Sequence, residues 1–158
     1  LYPDPPFGGD RFGTGVAIDT DVVAVGAPAA GSRPGRLFVY GLNNQTFTAG
    51  DNGEEYGYAV AIDGLTNTIL VGAKRQQFMG PGGANAGAVY QLVLDDLGSW
   101  QTAGHFIASD AAINKEFGEA VAIRNGVALV GGSEASAFSP GAAYVYTSTI
   151  FRNGFDGL

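Results

Sequence analysis

The sequence predicts an all-β protein built from three copies of one short-strand repeat. Hydrophobic residues make up 46% of the 158 residues and charged residues only 15%, a balance that favours a packed core over disorder. The chain also contains 26 glycines and 7 prolines, so turns are frequent, and no segment shows sustained helical periodicity. The third observation is the repeat itself, which fixes the order of the strands.

The repeat consists of three blocks of residues, each present three times. The first block reads aromatic-Gly-x-x-Val-Ala-Ile and occupies residues 12–18, 56–62 and 117–123. The second block is a hydrophobic run that leads through a glycine, at residues 23–28, 69–74 and 128–133. The third block opens with glycine and contains aromatic residues, at residues 35–40, 87–92 and 141–146. Short runs of Val, Ile, Ala and aromatic residues between turn residues are typical of β-strands.

The spacing between the blocks distinguishes hairpins from long loops. The first two blocks are joined by hairpin-length connections, and Asn125-Gly126 in the third copy favours a type I′ turn. The connection to the third block is longer, varies between copies and carries most of the glycine and proline. A fourth strand follows at residues 100–108 and, in the first copy, at about residues 46–48. Four short antiparallel strands repeated in this way are typical of a β-propeller blade.

These repeats resemble the FG-GAP repeats of integrin α-chain propellers and of many bacterial extracellular proteins. Phe12-Gly13 and Gly26-Ala27-Pro28 match the motif that gives the family its name. Degenerate copies occur at residues 56–57 and 72–73, and at residues 117–118 and 131–132. The tail at residues 150–155 resembles an ending found on secreted proteins of some gammaproteobacteria, from which residues 156–158 depart, and the alternative is an ordinary terminal strand. Both resemblances imply a secreted or cell-surface protein.

Aligning the repeats divides the chain into blades. Residues 10–50, 51–110 and 111–149 are predicted to form blades 1, 2 and 3, and blade 3 lacks a clear fourth strand. Residues 1–9 are predicted to end the fourth strand of a preceding blade, and residues 150–158 form a tail. Three blades cannot close a ring, because propellers typically have about four to eight. The ring is therefore predicted to be completed by the rest of a longer propeller or by other copies of the chain.

Composition excludes several classes of protein. A net charge of −7 with 8 basic residues argues against nucleic-acid binding, which depends on Lys and Arg contacts to phosphates. No stretch approaches the roughly 18 consecutive apolar residues that a membrane span requires. The chain has no Cys, no Gly-x-Ser-x-Gly motif and a single His105, which is predicted to point to solvent from the fourth strand. We therefore predict that the protein is not an enzyme.

The acidic residues predict no cofactor. Integrin-type repeats often carry a calcium loop with alternating Asp residues, and the hairpins of this chain lack that spacing. Asp51, Glu54 and Glu55 form a denser acidic cluster, which makes them weak calcium candidates. The interpretation as a polar turn is favoured, with Glu54 and Glu55 as solvated loop charges on opposite sides of the chain.

The long loops are the predicted binding surface, since the loops between the second and third strands share one end of the blades. The candidate ligand- or partner-binding residues on this loop face are Arg33, Arg36, Lys74, Arg75, Gln76, Phe78, Met79 and Phe138. An alternative for the loop after Lys74 is that it folds back over its blade. The sequence thus predicts a binding or adhesion module for a protein or glycan. The alternative is a self-assembling ring or filament joined by strand exchange, with assembly edges at Leu1, Tyr2, Tyr144 and Tyr146.

Overall fold

The computed structural model describes residues 1–2, 8–29, 33–49, 54–77, 83–134 and 140–147. These residues form eleven β-strands and no helix. The first sheet contains β1 (Val16–Asp19), β2 (Val22–Ala27), β3 (Arg36–Tyr40) and β4 (Gln45–Thr48). The second contains β5 (Tyr56–Asp63), β6 (Thr68–Ala73), β7 (Ala88–Leu94) and β8 (Trp100–Phe106). The third contains β9 (Ala120–Arg124), β10 (Val127–Gly132) and β11 (Ala142–Tyr146).

Each sheet is an antiparallel meander, and we call the three sheets blades 1, 2 and 3 in chain order. The strands pair in the same register in all three, so that Val25, Val71 and Val130 each pair with an aromatic residue of the next strand. Asn125 and Gly126 both have positive φ, as a type I′ hairpin requires. The prediction of all-β, propeller-type blades with an incomplete ring in one chain is confirmed. Blade 3 has three strands within the described part of the chain.

Neighbouring blades pack face to face through the first strand of the later blade. β5 contacts β1 and β2 of blade 1, and β9 contacts β5 and β6 of blade 2. The apolar residues between blades 1 and 2 include Val39, Tyr56 and Val71, and those between blades 2 and 3 include Leu70 and Phe117. The hydrophobic core therefore lies between the blades, as two successive layers.

Glycine allows the backbones of adjacent blades to touch. A Cβ atom built on Gly26 would lie 1.9 Å from the carbonyl oxygen of Gly57, and one built on Gly72 would lie 1.9 Å from that of Gly118. No side chain can occupy such a position without moving the backbone. The glycine of the second block and the glycine after each aromatic residue are thus the two halves of one contact.

At the N-terminal end, the described residues are Leu1 and Tyr2. Leu1 and Tyr2 are exposed and lie outside any strand, and the Tyr40 hydroxyl donates to the Tyr2 carbonyl oxygen at 3.0 Å. The rest of the predicted N-terminal strand up to residue 7, and the tail at residues 150–158, lie outside the described residues. Within the described residues, none belongs to a helix of the length and apolarity that a membrane span needs.

Candidate functional site

The turn that precedes each blade organises the loop face. The residue before the aromatic-Gly pair has positive φ in every blade, at Arg11, Glu55 and Glu116. One residue earlier, a backbone carbonyl accepts a hydrogen bond from the start of the loop after the second strand, at 3.1, 3.2 and 3.3 Å in the three blades. Residues 10–11 and 54–55 are therefore held beside the long loops, where the sequence places most of the candidate binding residues.

Asp10 is the first buried carboxylate of this face. Its side chain is only 5% exposed, and it pairs with Arg36, which also lies over the Phe38 ring at 4.9 Å. Arg33 approaches the same carboxylate at 3.4 Å and donates to the Gly8 carbonyl oxygen at 2.6 Å. Arg36 is mostly buried, whereas the Arg33 side chain is 40% exposed. One carboxylate thus holds two guanidinium groups, one beneath the surface and one at it.

Glu55 is the second buried carboxylate. Arg11 of blade 1 donates to its Oε1 at 3.0 Å, and Arg75 Nε lies 3.6 Å from its Oε2. The side chains of Arg11 and Arg75 are 42% and 51% exposed. Because Asp10 and Arg11 are adjacent, the two carboxylates and their four arginines form one continuous group. We call Arg11, Arg33, Arg36 and Arg75 the arginine cluster.

Glu54 and Gln76 face the interior of blade 2. Gln76 Nε2 donates to Glu54 Oε1 at 2.8 Å, and the Tyr90 hydroxyl donates to Gln76 Oε1 at 2.7 Å. The prediction that Glu54 and Glu55 are solvated loop charges is wrong, because both are buried and each is compensated by a donor on another segment. Gln76 is also buried, so its side chain is not presented at the surface of the loop face.

Lys74 lies between blades 2 and 3 and not on the exposed loop face. Its ammonium group is 3.1 Å from Glu119 and 3.6 Å from Glu116, and it lies 4.0 Å from the centre of the Tyr58 ring. Burial lowers the pKa of Lys74, but the hydrogen bond to Glu119 and the other contacts more than offset this, so the pKa is raised. Its side chain is only 11% exposed, so this candidate binding residue is held between two blades and is not presented on the loop face.

The remaining predicted residues fall in two groups. Phe78, Met79, Phe138 and Asp51 lie outside the described residues. Of the calcium candidates, Glu54 and Glu55 are engaged as described above, and within the described ranges no three acidic or histidine side chains come together to hold a metal ion.

The repeats match the FG-GAP repeat family at residues 6–40, 43–93 and 100–146, which is most of the chain. The chain belongs to the FG-GAP repeat family. FG-GAP repeats generally build non-catalytic, propeller-like modules that are often extracellular and adhesive. No curated protein matches the sequence. The resemblance inferred from Phe12-Gly13 and Gly26-Ala27-Pro28 is thereby confirmed.

The predicted assembly edge of the third FG-GAP blade is partly turned inward. Tyr144 packs on Phe117 with ring centres 5.2 Å apart, and its hydroxyl donates to Asp110 at 2.7 Å. Tyr146 packs on Phe106 at 4.7 Å, and burial raises its pKa to about 12. Both rings therefore face blade 2, and what β11 offers to a further strand is its backbone.

Sequence reasoning missed Asp10 and Arg11. Their signal is positional, because they occupy the two places before the aromatic-Gly pair that Glu54 and Glu55 occupy in blade 2. Comparing those two positions across the FG-GAP repeats identifies the turn residues that contact the loops. His105, by contrast, is exposed as predicted and lies 5.3 Å from the Tyr90 ring.

Proposed function

We propose that this chain is a non-catalytic extracellular module that binds an acidic group of a protein or glycan through the arginine cluster. The observation that carries the proposal is the support of three half-exposed guanidinium groups, on Arg11, Arg33 and Arg75, by two buried carboxylates. Such support reduces the side-chain entropy that an arginine loses when it binds a ligand. The cluster is a local basic surface on a chain of net charge −7.

The chemistry of the cluster favours a planar or tetrahedral anion as ligand. A guanidinium group presents five N–H donors in a fixed fork that matches carboxylate, sulfate or phosphate oxygens. Asp10 and Glu55 pair with these guanidinium groups, and the side chains of Arg11, Arg33 and Arg75 remain 40–51% exposed. Acidic side chains of a protein and sulfated or uronic sugars of a glycan both supply such anions. No cofactor is needed for this type of recognition.

Two probes test the proposal, immobilised heparin for a sulfated glycan and a polyglutamate peptide for an acidic protein segment. We expect at least one to bind, more weakly as the ionic strength rises. The double variant Arg33→Ala/Arg75→Ala should lose about tenfold or more in affinity, since each charge-assisted hydrogen bond contributes about 1.5–3 kcal/mol. Arg33→Lys/Arg75→Lys is the matched control, which keeps the charge and loses the fork. Binding of neither probe, or equal binding by the alanine variant, would exclude this function.

Self-assembly is the second candidate function. β11 is the outermost strand of its sheet, and no strand pairs with its outer edge in the described ranges. An extended segment from another copy could add to this edge by backbone hydrogen bonds, as predicted for strand exchange. Deleting residues 1–7 should then reduce the oligomeric mass measured by light scattering. An unchanged mass would exclude an exchanged N-terminal strand.

A further inference from the structure

In the described part of the chain, one face of blade 3 packs on blade 2 and the other, which we call the bare face, is uncovered. Val130, Tyr144 and Tyr146 point towards blade 2 and belong to the core. On the other face, Leu129 is 47% exposed and Val145 is 66% exposed. This second face continues across the sheet through Ala120, Ala122, Arg124, Val127, Gly131 and Ala143. An apolar sheet face of this kind is expected to pack on another surface.

Gly131 lies in the middle of the bare face. In blades 1 and 2 the same position is occupied by Gly26 and Gly72, where the backbone of the following blade leaves no space for a Cβ atom. At Gly131 the nearest atom to such a Cβ is the Ala120 Cβ of the same blade, at 3.4 Å, and φ is outside the left-handed region. The position is therefore shaped for a neighbouring aromatic-Gly turn, although nothing in the described structure fills it.

Blade 1 carries the complementary surface. The Phe12-Gly13 turn has the same positive φ at its glycine as the turns of blades 2 and 3, 92° against 91°, yet no atom of the described residues lies within 4 Å of a Cβ built on Gly13. Val16 and Ile18 of β1 are 66% and 73% exposed, whereas Val60, which is equivalent to Val16, is 9% exposed. Blade 1 thus presents an undocked copy of the element that docks at the other two interfaces.

We propose that two copies of this chain associate head to tail, with the Phe12-Gly13 turn and β1 of one copy docked on the bare face of blade 3 of the other. The contact repeats the packing of blade 2 on blade 1 and of blade 3 on blade 2. It buries Leu129 and Val145 of one copy under Val16 and Ile18 of its neighbour. This face-to-face contact differs from the addition of a strand to the edge of β11.

Charge complementarity at the hairpins favours a second copy as the occupant. At the two internal interfaces, Asp19 and Asp63 each accept a hydrogen bond from a backbone N–H in the hairpin of the following blade, at 2.7 and 2.9 Å. The equivalent residue of blade 3 is Arg124, which is exposed. The hairpin of blade 1 in a second copy would bring Asp21 to it. The cation therefore meets a carboxylate at the one interface where a further blade would follow blade 3.

The loop end of the interface shows the same complementarity. Arg11 of blade 1 pairs with Glu55 of blade 2, and the two residues are equivalent in their repeats. Glu116 takes the place of Arg11 in blade 3, and Arg11 of the second copy takes the place of Glu55. An ion pair therefore forms again, with the acidic residue on the earlier blade and the basic residue on the later one. Because the two surfaces are different, the contact is heterologous and either closes a ring of copies or extends as a filament.

The size of the chain in solution, measured by sedimentation velocity over a range of concentrations, tests the proposal. Wild-type protein should form dimers or larger species. Gly131→Ala should fold normally, because its Cβ has space in the single chain, and should weaken association by about 100-fold or more by placing an atom against a docked backbone. Leu129→Ser should also weaken it, while Leu97→Ser, at an exposed turn leucine away from both faces, is the control and should not. A wild-type chain that stays monomeric would overturn the proposal.

Mixing two blocked variants distinguishes head-to-tail docking from other forms of association. Ile18→Asp blocks the blade 1 surface and Gly131→Ala blocks the blade 3 surface. Each variant alone should be monomeric, and an equimolar mixture should form a heterodimer, because each partner retains one competent surface. Self-association of Ile18→Asp alone, or failure of the mixture to associate when wild type does, would contradict the proposed geometry. Wild-type association that Gly131→Ala leaves unchanged would also overturn it and would favour exchange at the β11 edge.

Discussion

Leu70 and Leu129 occupy the same position of the second strand in blades 2 and 3, and their environments are opposite. Leu70 is fully buried because blade 3 packs on it, whereas Leu129 is 47% exposed. Their cross-strand partners differ in the same way, since Gln91 is 7% exposed and Val145 is 66% exposed. Blade 2 is covered by blade 3 and has a fourth strand, β8, beside β7, whereas the described residues place neither a further blade nor a fourth strand beside blade 3. Stability in this chain therefore resides largely in the contacts between repeats, as in other quasi-linear repeat arrays.

The largest expected effect compares two equivalent glycines. Gly72→Ala places a Cβ 1.9 Å from the Gly118 carbonyl oxygen, so blade 3 must move away from blade 2. We expect a loss of about 3 kcal/mol or more in the free energy of unfolding. Gly131→Ala should change it by less than about 1 kcal/mol in dilute protein. Urea denaturation of both variants measures the contrast. Equal losses would show that Gly131, like Gly72, is covered in the single chain.

The second comparison removes a leucine from each face. Leu70→Ala empties a fully buried site and should cost about 2–5 kcal/mol. Leu129→Ala removes a half-exposed side chain, so the monomer should lose no more than about 1 kcal/mol. Thermal unfolding at low protein concentration tests both. If Leu129→Ala proved as costly as Leu70→Ala in the monomer, blade 3 would have to be covered within the single chain.

The third comparison separates a charge inside an interface from one at the surface. Lys74→Met leaves Glu116 and Glu119 without their shared cation between blades 2 and 3, and should cost about 1–3 kcal/mol. Arg75→Met removes a half-exposed partner of Glu55 and should cost less than about 1 kcal/mol. Urea midpoints of the two variants provide the measurement. A more costly change at Arg75 would place the main electrostatic contact on the loop face instead.

The smallest effect concerns pH at the hairpins. The backbone N–H of Gly64 lowers the pKa of Asp19, and the Thr20 hydroxyl adds to this. A lowered pKa means that the ionised carboxylate stabilises the folded state above its ordinary pKa, and that this stabilisation is lost as the pH falls below about 4. Asp19→Asn should therefore show a shallower loss of Tm between about pH 5 and 3 than wild type. If Tm fell with pH in the same way in both proteins, the hydrogen bond from Gly64 to Asp19 would not contribute to the stability of the interface between blades 1 and 2.

The strands and blades were predictable because their signal is periodic and local. Three copies of one block order fix the hairpins, and Asn125-Gly126 identifies its own turn. The environments of Glu54, Lys74 and Gln76 were not predictable from the same data, because the groups that compensate them lie on other segments of the chain. From sequence alone, a charged residue in a loop is predicted to be exposed to solvent, because its partner on another segment is not known. The sequence predicts an unclosed ring. That the bare face of blade 3 is built like the faces covered by blades 2 and 3 follows only from the atoms that surround each glycine in the structure.

The glycine contact between blades bears on what determines the order in which blades pack. Because Gly26 and Gly57 meet through main-chain atoms, the fit does not depend on which two repeats are involved. This backbone contact alone therefore does not determine which blade follows which. The ion pairs differ between the two interfaces, with Arg11 and Glu55 between blades 1 and 2 and Lys74 and Glu119 between blades 2 and 3. The backbone contact is thus common to both interfaces, and the charged side chains distinguish one interface from the other.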